Sequence, residues 1–195
     1  MNNDISFVFQ LILESFTQPR KVAEYLISRK LSRNSNWLIL GLVAVLSALV
    51  LSAVSAVTPA PPDVQTLSLS PWIAAVFVGV VMLTLVFALF YVGQWMGGTG
   101  SLDDTILIIS WHQGITVAFQ IAQLALVLLS PSLGAIANLI GIIFLFYVLL
   151  QFIDVLHGFG SLAKAFGTFA VAMVCMMLGM AVLMSVLGFS ALGAA

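Results

Sequence analysis

A chain of 195 residues with 62% hydrophobic and 7% charged side chains lies far below the roughly 25% charge of a soluble domain, which excludes a water-solvated globule and makes lipid the main solvent. The net charge of −1 hides an asymmetry: Arg20, Lys21, Arg29, Lys30 and Arg33 crowd the start, and Lys164 is the only other base. No basic patch suited to nucleic acid results, so no nucleic-acid partner is expected.

The opening residues hold Asp4 and Glu14 and show no basic n-region followed by a small-residue cleavage site. No signal peptide is therefore expected, and insertion is read from the first true span. Residues 4–17 are apolar but interrupted by Asp4, Gln10 and Glu14. They are too short to cross a hydrocarbon core of about 30 Å. Pro19 suits the first turn of a new helix, in which Val22, Tyr25, Leu26 and Arg29 recur at helical spacing. Residues 1–35 thus read as a cytoplasmic arm of one or two amphipathic helices. They lie either on the membrane surface, with bases toward headgroups, or on the cytoplasmic ends of the spans.

Residues 36–195 read as an all-α membrane domain, a five-span helical bundle. The spans lie at about 37–57, 72–96, 105–129, 133–155 and 165–189, each near the 20 residues a bilayer requires. Trp37, Trp72, Tyr91 and Trp95 are placed as interfacial anchors. A proline-rich loop joins the first two spans, and Ser130-Pro131-Ser132 makes an antiparallel hairpin of the third and fourth. Positive residues favour the cytoplasmic side. A cytoplasmic N-terminus puts all six bases inside and leaves the C-terminus outside.

The third span is the most polar. Gln113, Thr116, Gln120 and Gln123 form one helical stripe, with His112 beside its cytoplasmic end. Facing lipid, such a stripe leaves donors unsatisfied at several kcal/mol, so it faces other helices or a wet cavity. Its plain role is interhelical hydrogen bonding, worth about 0.6 kcal/mol per bond. Its functional role would be a polar path or ligand groove. Asn138 of the fourth span lies at the depth of Gln123, where the two could pair. Tyr147, Gln151 and Asp154 share a face at helical spacing. A polar cluster of Gln94, His112, Gln113, Gln151, Asp154 and His157 is expected in the cytoplasmic third.

His112 and His157 are the only histidines. No HxxxH, HExxH or CxxC spacing occurs, so no metal site is expected. No serine sits in a nucleophile elbow, and no catalytic residue or cofactor site is expected. The lone Cys175 lies inside an apolar run and reads as a buried packing thiol. Gly167, Ala172, Cys175 and Gly179 read as small residues for close helix packing.

Between the second and third spans, Gly97, Gly98 and Gly100 precede Ser101 and Asp104, which have capping-box spacing. The pattern predicts a tight, capped turn. His157-Gly158-Phe159-Gly160 ends the fourth span as a glycine C-cap.

The turn at Gly97, Gly98, Gly100, Ser101 and Asp104, followed by Trp111 and Gln113 in the third of five spans, resembles the Yip1 domain family. His157-Gly158-Phe159 and the Pro19-Arg20 opening are similar to bacterial members. The resemblance covers nearly the whole chain. It implies the five-span topology with a cytosolic N-terminus, and places the chain in a bacterial cytoplasmic (inner) membrane. Eukaryotic members are associated with Rab GTPases and membrane traffic. The long cytosolic region of those proteins has no counterpart in this short arm, so that partner role is not carried over. The expected function is a non-enzymatic organising or accessory component of a membrane assembly. Its expected partners are membrane lipids and either another membrane protein or a second copy. The alternative is a small transporter or channel-like protein using the third-span stripe, with Asp154 or Asp104 handling a cation or proton.

Overall fold

Every regular element among the described residues, 2–57 and 70–186 of a computed structural model, is an α-helix. Most of the proline-rich loop and the extreme C-terminal tail lie outside them. The helices are α1 (Asn2–Thr17), α2 (Pro19–Ser28), α3 (Arg33–Val57), α4 (Pro71–Trp95), α5 (Leu102–Leu129), α6 (Pro131–His157) and α7 (Leu162–Val186). Five of them, α3 to α7, are long and apolar enough to cross a membrane. The protein is a multi-pass, all-α membrane protein.

Local chemistry sets the helix starts. Proline opens α2, α4 and α6, where its missing N–H is not needed. Ser70 accepts from the Ile73 N–H at the head of α4. Ser101 accepts from the Asp104 N–H at 3.1 Å at the head of α5. The Ser101 hydroxyl also donates to Asp104 at 2.6 Å, so the predicted cap forms with the aspartate holding the hydroxyl. The α6 end carries Gly158 at φ 65, and the Phe159 N–H reaches back to the Asp154 carbonyl at 3.1 Å. Glycine tolerates this left-handed conformation.

In the bundle α3 touches α4 and α5, α5 touches α6, α6 touches α7, and α7 returns to α4. The ring closes, and α4 and α5 also meet across it. Val86 and Leu89 of α4, Ile106 of α5 and Ile153 of α6 lie at its centre with no exposure. Lipid chains are as apolar as leucine, so these helices gain by close packing more than by leaving water. Glycines of α6 make room for side chains of α5. A Cβ on Gly141 would overlap the Phe119 ring, and one on Gly134 would overlap Val127.

The arm is docked. Leu11 of α1 and Val22, Ala23 and Leu26 of α2 form a second core with Ile108 and Ile115 of α5 and Phe152 and Leu156 of α6. The Trp111 indole N–H donates to Ser15 of α1 at 3.1 Å. Phe7, Val8, Phe9 and Leu13 of α1 remain exposed.

Two expectations in the last span change. Cys175 is exposed rather than buried, because it lines an open groove between α7 and α4 with Thr84, Phe87 and Ala88. A Cβ on Gly179 would meet open space, so among the described residues that glycine makes no close helix contact. Ala172, fully buried like Ala165 on the same helix, meets the core.

Candidate functional site

All six basic residues gather at one end of the bundle, because α3, α5 and α7 start there and α2 docks beside the end of α6. The buried carboxylate of Asp154 is the electrostatic centre of that end. Arg20 of α2 forms an ion pair with it, and the same guanidinium reaches the Gln151 side-chain oxygen at 3.4 Å. The other Asp154 oxygen accepts the Ser161 N–H at 2.8 Å. Ser161 precedes α7 and offers its own hydroxyl to the Lys164 N–H at 3.4 Å. One carboxylate thus links the arm, the end of α6 and the start of α7. A buried charge without such partners is strongly unfavourable.

His157, 1% exposed, sits one helical turn beyond, and neither ring nitrogen makes a hydrogen bond among the described residues. The Leu89 carbonyl of α4 lies toward the ring, outside hydrogen-bond geometry. Glycines make the space. A Cβ on Gly93 would overlap the imidazole, and one on Gly98 would come within 2.6 Å of the His157 Cβ. A Cβ on Gly100 would fall 2.7 Å from the Leu156 carbonyl. Phe159 stacks on the imidazole at 5.2 Å between centroids, and the Lys164 ammonium lies 4.7 Å from the Phe159 ring centre. The Thr99 N–H donates to the His157 carbonyl at 3.1 Å. Gly97 has φ 82, which makes the turn between α4 and α5 depend on glycine at this position.

The expected polar cluster divides into separate settings. Gln151 and Asp154 meet on Arg20, and the Gln151 amide also donates to Tyr147 at 2.8 Å. Gln94 donates to the Gly100 carbonyl at 2.7 Å. His112 pairs through Nε2 with the Leu145 carbonyl of α6 at 3.0 Å. Gln113 donates to Ser47 of α3 at 3.0 Å, and Thr116 donates to the His112 carbonyl on its own helix at 3.0 Å. Gln123 donates to the Gly134 carbonyl at 3.5 Å, not to Asn138. Gln120, Gln123 and Asn138 line a cavity of about 320 Å³ over α5. Among the described residues no group of three or more His, Cys, Asp or Glu side chains gathers as a metal site would require.

The Yip1 domain family model matches residues 13–183. The chain belongs to the Yip1 domain family. No curated protein and no solved structure matches it.

The structure gives the Yip1-like motif residues a physical content. Gly98 and Gly100, with Gly93 before them, surround His157 of the second motif. Ser101 and Asp104 cap α5. Trp111 and Gln113 tie α5 to the arm and to α3. Sequence reasoning missed Arg20 as the partner of Asp154, and Gly93, Gly134 and Gly141 as contact points. An intramembrane carboxylate is itself a signal that a cation stands near it. The glycines had no such signal, because their partners lie on other helices.

Proposed function

We propose that this Yip1 domain protein is a non-enzymatic organising or accessory component of a membrane assembly. It resides in a bacterial cytoplasmic membrane with its N-terminus in the cytoplasm. The observation that carries the reading is the use of polar groups at the basic end. Arg20, Asp154, Gln151, His112 and Gln113 all bond within the bundle, which supports a fixed framework more than a conducting path. Around that framework, the spans and arm offer broad apolar faces, including Leu38, Leu42, Ile143 and Leu178. These faces suit lipid and neighbouring helices. The arm and the glycine turn stand together at the end that a cytoplasmic partner would meet.

The test is purification in a lipid-preserving detergent with mass spectrometry of what remains bound. A stoichiometric membrane-protein partner, or a defined oligomer, supports the reading. A monomer whose reconstitution produces a solute flux, lost in Gln113→Leu with the fold intact, overturns it in favour of transport.

A further inference from the structure

The carboxamides of Gln120 on α5 and Asn138 on α6, in the membrane-spanning region, have no partner among the described residues. Both line the cavity over α5 with Gln123. The bond Gln123 makes to Gly134 is long, at 3.5 Å. At about 1.5 Å per residue, these side chains lie roughly 10 Å inside the end of the bundle opposite the bases. That depth falls within the hydrocarbon region, where an unsatisfied amide costs several kcal/mol.

The cavity itself narrows the occupant. Its other walls are Leu51 and Val54 of α3 and Leu124 and Val127 of α5. Its volume of about 320 Å³ lies at the lower end of ligand pockets, which run from roughly 300 to 1,000 Å³. Asn138 is exposed, so the cavity communicates with the surface of the bundle. No charged residue lines it, and a charged head would stand unpaired in a low dielectric. A purely apolar occupant would leave the carboxamides unsatisfied. A small neutral head that both donates and accepts would satisfy them, with its chain against the leucine and valine walls.

We propose that this cavity is a binding site for a neutral lipid whose small head carries hydroxyl and ester groups, of the diacylglycerol type. The proposal is independent of the accessory role, since it concerns the other end of the bundle and a ligand rather than a partner protein.

The test uses the full chain in phosphatidylcholine vesicles containing a photoactivatable diacylglycerol. Adducts are expected on the segments of α3, α5 and α6 that hold Leu51, Gln120 and Asn138. Excess unlabelled diacylglycerol should compete, and added phosphatidylglycerol should not. Gln120→Leu with Asn138→Leu should lower specific labelling by about tenfold, equivalent to about 1.4 kcal/mol. Gln113→Leu, which breaks a bond outside the cavity, should leave it unchanged. Labelling that persists in the double variant, or that phosphatidylglycerol competes equally, overturns the proposal and leaves the cavity to water or bulk lipid chains. If the double variant fails to fold, the adduct map on the wild-type protein decides, and adducts away from these segments overturn the proposal.

Discussion

Arg20 and Asp154 stand 134 positions apart in sequence and form one ion pair between the arm and the bundle. The two ends of that pair differ. The Asp154 side chain is 1% exposed, whereas the Arg20 side chain is 48% exposed. Removing the arginine therefore strands a buried carboxylate, while removing both charges leaves no buried charge unpaired. Through the Ser161 N–H, the same carboxylate also sets where α7 begins.

Arg20→Ala should destabilise the protein by about 1–3 kcal/mol, less than for a fully buried pair because water reaches the guanidinium. Lys21→Ala, at an exposed neighbouring position, should change stability by less than about 0.5 kcal/mol. Combining Arg20→Ala with Asp154→Asn should cost less than the sum of the single changes. Thermal unfolding in detergent measures all three, and proteolysis within residues 19–31 reports whether the arm has detached. Additive costs would show that the pair does not couple the arm to the bundle.

The His157 cage makes a sharper test, because its two sides can be changed separately. Gly93→Ala should destabilise by about 1–3 kcal/mol through overpacking against the imidazole. In a His157→Ala background the same change should be close to neutral, since the atoms that the new methyl meets belong to that ring. The coupling, read from four thermal midpoints, should approach the full cost of Gly93→Ala. A cost that is unchanged in the His157→Ala background would mean that the glycine serves backbone conformation instead.

The spans were legible because a membrane helix must be apolar over about 20 residues, and that requirement is written locally. Boundaries followed from Pro71, Ser101, Pro131 and Gly158, whose backbone chemistry is also local. The separate fates of Gln113, Gln120 and Gln123 were not legible. One stripe on α5 faces α3 at Ser47, a cavity at Gln120 and α6 at Gly134. Which neighbour meets each turn depends on crossing angles that no local pattern encodes. The same holds for Cys175, whose apolar surroundings in sequence do not reveal whether it faces lipid or the ring. The arm left both its alternatives open in sequence, and the Arg20–Asp154 pair together with the Trp111–Ser15 bond puts it on the bundle.

Gln113 and Ser47 provide a measure of interhelical hydrogen bonding in this bundle. Gln113→Leu should cost about 0.6 kcal/mol, and no more than about 1.7, because the unfolded helix in lipid also finds partners for a glutamine. Ser47 also donates its hydroxyl to Val43 at 2.7 Å on its own helix, so Ser47→Ala should be of similar size. Steric trapping or thermal unfolding in bicelles reads these values. A loss well above 2 kcal/mol at Gln113 alone would assign it a structural role beyond one bond.

Orientation is open to direct chemical labelling, because the two ends of the bundle carry exposed serines. Ser28 closes α2 at the basic end, and Ser132 lies in the first turn of α6 at the opposite end. In a Cys175→Ser background, Ser132→Cys should react with an impermeant maleimide added to intact cells or spheroplasts. Ser28→Cys should react only after the membrane is opened. Bases are retained on the cytoplasmic side during insertion, and all six lie with Ser28 rather than with Ser132. The reverse labelling pattern would place the arm, Asp154 and the glycine cage outside the cell. It would also remove the cytoplasmic partner from the proposed function.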